Sequence, residues 1–175
     1  STDNCSIDSL YLDIIDFDCS DVGTNSVTIT AVDVNGNSSS TTADITVMDT
    51  ISPTMVSQNL TVYLDSAGSV SITAAQVDSG STDNCSVDSL YLDIPDFDCS
   101  DTGVNVVTLT AVDGSSNSSS TTADITVMDT ISPTMASQNL TIYLDASGAA
   151  SITAAQVDNG STDNCDIDSL NLDII

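Results

Sequence analysis

A repeat of 80 residues governs what this chain can fold into. The pentapeptide STDNC begins at Ser1, Ser81 and Ser161, and residues 1–80 differ from residues 81–160 at only 16 positions. A third copy then runs for 15 residues. Self-similarity at a fixed period means one structural unit used in series, and most solenoid units occupy roughly 20–50 residues. Eighty residues suit one small β-sandwich instead.

Within a unit the apolar residues alternate. Leu60, Val62 and Leu64 are interleaved with Thr61 and Tyr63, and Val70, Ile72 and Ala74 follow a turn at Ser66-Ala67-Gly68. Leu90, Leu92 and Ile94 come next, then Val107, Leu109 and Ala111, then Ala123, Ile125 and Val127. A period of two is that of antiparallel strands with one face in a core and the other in water. Composition agrees: Glu, Lys and Arg are absent, which removes most strong helix formers, while Val, Ile and Thr are abundant. The sequence predicts an all-β chain of tandem immunoglobulin-like β-sandwich domains.

The segments Asp49-Thr50-Ile51-Ser52-Pro53 and Asp129-Thr130-Ile131-Ser132-Pro133 read as linkers, because Pro lacks an amide donor and suits the start of an edge strand. They phase one complete repeat at 50–129. Residues 1–49 are then the C-terminal part of the repeat before it, and 130–175 the N-terminal part of the next. Such boundaries are those of a window cut from a long polymer.

Charge narrows the partners. All 26 acidic residues are Asp, no His is present, and the formal charge is −26. Nucleic-acid binding needs cationic groups that displace phosphate counterions, and attraction to an anionic membrane needs them too. Neither partner is expected, and no apolar run reaches membrane-spanning length. With 40% of residues hydrophobic and in ordered alternation, the chain is expected to fold despite its charge.

Four groups of residues carry a resemblance: Ser81-Thr82-Asp83-Asn84-Cys85, Phe97-Asp98-Cys99-Ser100-Asp101, Gly103 to Thr110, and Asp129 to Thr134. In this order they resemble hyalin-repeat-like (HYR-like) modules, immunoglobulin-like units of very large surface proteins in gliding and biofilm-forming bacteria. The resemblance covers essentially the whole chain and implies a giant secreted adhesin, similar to the gliding-motility adhesins exported by the type IX system. It names no ligand. Such modules often carry a second Cys pair, whereas Thr41, Ser57, Thr121 and Ser137 stand at those places here. The resemblance further suggests Asp-Ser/Thr-aliphatic acceptors for O-glycosylation at Ser9, Thr50, Ser89, Thr130 and Ser169. The sequons at Asn59-Leu60-Thr61 and Asn139-Leu140-Thr141 would be irrelevant in a bacterial source.

Cys5 and Cys19 are 14 apart, as are Cys85 and Cys99, and each pair flanks one hydrophobic strand. Thiolate metal sites want closer spacing and usually four ligands, so the expectation is a disulfide inside each repeat, formed in an oxidising compartment. Closing a loop of about 15 residues contributes roughly 3 kcal/mol in the chain-entropy model. Cys165 would find its partner further along the polymer.

Calcium is the cofactor expectation. In an immunoglobulin-like order the linker, the loop after the second strand and the last hairpin loop share one pole. They contribute Asp49, Asp78, Asp83, Asn84, Asp113 and Asn117, oxygen-bearing residues of the kind Ca²⁺ takes six to eight of. The competing reading is that Asp and Asn are turn formers. Asp33-Val34-Asn35-Gly36-Asn37 has EF-hand-like spacing, but its counterpart Asp113-Gly114-Ser115-Ser116-Asn117 reads better as a hairpin turn.

Catalytic readings fail on inventory. No His or Lys exists to activate a nucleophile. Asp101-Thr102-Gly103 matches an aspartic-protease triplet, yet its copy is Asp21-Val22-Gly23, and a two-carboxylate glycosidase would need a distinct pocket. The expectation is no enzyme: a structural stalk or filament segment of a secreted cell-surface adhesin. Its partners would be neighbouring repeats, other copies laterally, and a surface or polysaccharide. The alternatives are spacer repeats of a large secreted enzyme and a self-assembling matrix or sheath.

Overall fold

The structure, a computed structural model, describes residue 4 and residues 6–173. It is mostly β. Strands β1 (Ile7–Leu12), β2 (Gly23–Asp33) and β3 (Ser38–Val47) form an antiparallel sheet in that order. Strands β4 (Leu60–Tyr63), β6 (Val87–Leu92), β8 (Gly103–Asp113) and β9 (Ser118–Met128) form a second sheet, ordered β4-β9-β8-β6. A two-stranded ribbon pairs β5 (Ser69–Ser71) with β7 (Asp96–Asp98). Strand β4 runs parallel to β9, with Leu60 opposite Ile125 and Tyr63 opposite Met128.

By compactness the chain divides into two units, each discontinuous in sequence. The first holds Ser1–Thr54, Thr82–Ser89 and Ala111–Ser119, and the second holds Met55–Ser81, Leu90–Thr110 and Ser120–Ile175. The stretch 50–129 is therefore distributed over both.

The core belongs to the second unit. Val107 and Leu109 on β8, and Ala123, Ile125 and Val127 on β9, are buried at every second position. They form one cluster with Leu64, Ile72, Val77 and Phe97. Fully burying an aliphatic or aromatic side chain of this size contributes about 1.5–3 kcal/mol. In the first unit the corresponding apolar face is open. Phe17, Ile45 and Leu12 are 36%, 40% and 46% exposed, and they line a shallow apolar pocket with Ile14, Val27 and Ile29.

One expected strand changes course. The alternation Val70, Ile72, Ala74 predicts a single strand, but β5 ends at Ser71 and a helical turn, α1 (Ala74–Val77), follows. The physical reason is a capping box: the Gln76 side-chain oxygen accepts from the Thr73 backbone N–H at 2.8 Å, and good helix formers follow Thr73. The same box at Thr153 and Gln156 opens α2 (Ala154–Val157).

Most aspartates organise turns. At the β8–β9 hairpin the Asp113 carboxylate accepts from the backbone N–H groups of Ser115 and Asn117 and from the Asn117 amide. Asp33 does the same at the β2–β3 turn. Asp13 and Asp93 each accept an amide from the neighbouring strand, at Thr28 and Thr108. The EF-hand-like spacing at Asp33 is thus a hairpin turn.

A candidate metal centre

Three carboxylates are drawn together within the first unit. Asp49 lies just after β3, Asp83 in the loop before β6, and Asp113 at the last position of β8. Each offers an oxygen within 4.8 Å of the other two. The loop carrying Asp83 is held by a two-way backbone bridge between Thr54 and Thr82, with N···O distances of 2.7 and 3.0 Å. Beyond Asp83 it is tied to Cys19 by a disulfide at Cys85.

Asp49 and Asp83 each use one oxygen and leave the other free, whereas Asp113 uses both. One Asp49 oxygen accepts from the Ile51 N–H at 3.0 Å and from the Asn84 amide at 3.2 Å. One Asp83 oxygen accepts from the Cys85 and Ser86 N–H groups at 3.0 and 3.3 Å. The other oxygens, Asp49 Oδ2 and Asp83 Oδ1, are buried without a hydrogen-bond partner. Asp113 is 3% exposed. Burial acts to raise its pKa, and the hydrogen bonds from Asn117 and the turn amides outweigh it, holding the carboxyl below the ordinary carboxylate range. The third member of the cluster is therefore ionised at neutral pH.

A buried carboxylate oxygen without a donor is costly, and the chain contains no Lys, Arg or His to pair with it. A cation held among the three carboxylates is the kind of partner these residues lack within the chain. Oxygens sharing one Ca²⁺ at about 2.3–2.6 Å lie no more than about 5 Å apart, so the spacing fits. The ligand chemistry also fits a hard cation, because the set is all oxygen. The pair recurs in the second unit: the Asn164 amide donates to Asp129 at 3.1 Å, the Cys165 N–H donates to Asp163 at 3.1 Å, and Asp163 Oδ1 is again buried and unpartnered.

Among the residues expected from the sequence, Asp49, Asp83 and Asp113 come together as carboxylates. Asn84 and Asn117 present their NH₂ groups to that cluster, Asn117 donating to the Asp49 carbonyl at 3.2 Å and to Asp113 at 2.8 Å. They stand as donors that position the carboxylates. Asp78 is not one of the three. It accepts from the Gly80 and Ser81 N–H groups and its backbone bridges to Ser57, the role of a turn former. The recurrence at Asp129 and Asp163 was readable from the 80-residue period alone.

The disulfides correct the expected pairing. The bonds join Cys19 to Cys85 and Cys99 to Cys165, with Cα–Cα distances of 5.3 and 5.5 Å and a sequence separation of 66 in each case. Cys85 and Cys99 are not bonded to each other, and Cys5 lies outside the described residues. The reason is where the strands lead: Cys85 precedes β6 and Cys99 follows β7, strands of two different sheets, and Cys99 lies against the Gly68 and Asn164 carbonyls beside Cys165. Two disulfides place the chain in an oxidising compartment. Among the described residues no helix is long and apolar enough to cross a membrane.

Ser9, Thr50, Ser89, Thr130 and Ser169 are all exposed, Ser9 on β1 and Ser89 on β6. No family model matches the chain, and no curated protein matches it either.

Proposed function

We propose that this chain is a stalk or filament segment of a large secreted cell-surface adhesin, built from immunoglobulin-like sandwich repeats and without catalytic activity. The observation that carries the reading is that near-identical 80-residue copies are covalently fastened to one another. Cys19 lies in the first copy and Cys85 in the second, and Cys99 lies in the second and Cys165 in the third. Cross-bonding of successive copies suits a polymer that must hold its shape outside the cell. The absence of Lys, Arg and His removes most general bases and all cationic anchors for phosphate. Arrays of two, four and six copies of residues 50–129, measured by small-angle scattering, are expected to lengthen by a constant step of roughly 40 Å per copy, from strands of about 10–12 residues. A maximum dimension that stops growing with copy number would remove the stalk.

Within that reading Asp49, Asp83 and Asp113 hold Ca²⁺, and the ion's charge relieves the repulsion among three crowded carboxylates. Micromolar-to-millimolar Ca²⁺ raises the melting temperature at fixed ionic strength, and Na⁺ does not. Asp83→Asn and Asp113→Asn abolish that response while the disulfides stay intact. Identical melting curves in Ca²⁺ and in chelator would reduce these residues to turn formers.

A further inference from the structure

The two disulfides divide the backbone into a part that can carry tension and a part that cannot. Each closes a loop between cysteines 66 positions apart, and between Cys19 and Cys165 only residues 86–98 lie outside both loops. We propose that the chain is a force-bearing polymer whose load crosses the disulfides and bypasses most of the fold. Tension enters at Cys19, passes to Cys85, follows the backbone to Cys99 and passes to Cys165. Residues 20–84 and 100–164 carry none of it. The inference takes the source of the pull from the stalk reading, while the covalent route belongs to the chain itself.

The placement of elements on this route is selective. The carried segment contains β6, which is an edge strand of its sheet, and β7, which pairs only with β5. The central strands β8 and β9 lie inside the closed loop, with Val107, Leu109, Ala123, Ile125 and Val127 of the core. Leu64, Ile72 and Val77 lie inside the other loop. A pull can therefore straighten an edge strand and a short ribbon, but no end-to-end force can draw out the core strands while the disulfides hold. The arrangement is a mechanical stop.

Its size follows from chain geometry. An extended chain spans about 3.3–3.6 Å per residue, so the carried segment between Cys85 and Cys99 reaches only about 50 Å. Stretched between its termini, the whole chain is limited to about 150 Å with both bonds intact and about 600 Å with both reduced. Pairing within each repeat, 5–19 and 85–99, would instead leave about 500 Å in the oxidised state.

The test is single-molecule stretching of the full chain through handles at its two termini, with and without a phosphine reductant. The expected result is a contour about one quarter as long before reduction as after it. In the double variant Cys19→Ser, Cys85→Ser the oxidised contour rises by about 230 Å, one loop's worth. Because full stretching reads only covalent connectivity, this arm holds even if the variant folds poorly. An oxidised contour near 500 Å, or one unchanged by reductant, overturns the proposal. A fourfold change in a chain whose arrays fail to lengthen would keep the mechanical stop and remove the stalk, so the two failures are distinguishable.

Discussion

Residues 7–47 and 87–127 have nearly the same sequence, and the molecule treats them differently. Phe97, Ile125 and Val127 are buried to 3%, 0% and 2% exposure, while Phe17 and Ile45 are 36% and 40% exposed. Asp96-Phe97-Asp98 is strand β7, whereas the identical Asp16-Phe17-Asp18 is not a strand. What differs is the covering segment. Leu64, Ile72 and Val77, with β4 and β5, pack on the later copy, and among the described residues no equivalent segment covers the earlier one. The counterparts of those covering residues, Leu144 and Ile152, are 68% and 40% exposed. Strand formation at the ends of this fold is thus a result of pairing and burial, with intrinsic propensity a minor term.

The comparison breaks most readily by truncation. Ile125→Ala, at a fully buried position, is expected to cost about 2–5 kcal/mol in chemical denaturation, and Ile45→Ala less than about 1 kcal/mol. Equal costs would mean that the two faces are equally buried in solution. Glycines give the next contrast. Gly68 and Gly148 both have positive φ, at 73° and 79°, but a Cβ on Gly68 would sit 2.5 Å from the Asn164 carbonyl oxygen and 2.7 Å from Cys99 Sγ, and one on Gly148 would meet nothing within 4 Å. Gly68→Ala should therefore cost more than about 2 kcal/mol, against about 1 kcal/mol for Gly148→Ala, where only the backbone strain is paid. The smallest effect lies in the hairpin turns. Ser116 holds φ at 71° where the equivalent residue of the earlier copy is Gly36, at 85°. Ser116→Gly is expected to raise stability by up to about 1 kcal/mol, read as a shift in melting temperature.

How much of this was legible in the sequence depends on whether the cause was local. The alternation of Leu109 with its polar neighbours, and of Ile125 with its own, foretold β8 and β9, because burial of one face has a period of two whatever the topology. Asp49, Asp83 and Asp113 were three of six loop residues expected to converge, and these three carboxylates do come together. The helical turn at Ala74 was written locally too, in Thr73 and Gln76, but the hydrophobic alternation masked it. The disulfides were not local. Spacings of 14 and 66 are both present in the sequence, and the choice between them rests on which elements the fold brings together. β6 and β7 join different sheets, so Cys85 before the one and Cys99 after the other meet other partners. Asp78 lies outside the cluster, closing its own turn with Gly80 and Ser81 and pairing through its backbone with Ser57.

The central claim is that a segment like residues 50–80 completes each copy of the strands that follow it. The direct measurement is amide hydrogen exchange by NMR, which separates the two copies even where residues 37–55 and 117–135 are identical in sequence. In the chain as it stands, the amides of residues 96–98 and 123–127 should be protected more than about 100-fold over those of 16–18 and 43–47, since opening the covered copy requires exposing its core. Placing a copy of residues 50–80 ahead of Ser1 should raise protection at 16–18 and 43–47 to the level of 96–98 and 123–127. Protection at those residues that stays unchanged in the extended chain would contradict the account.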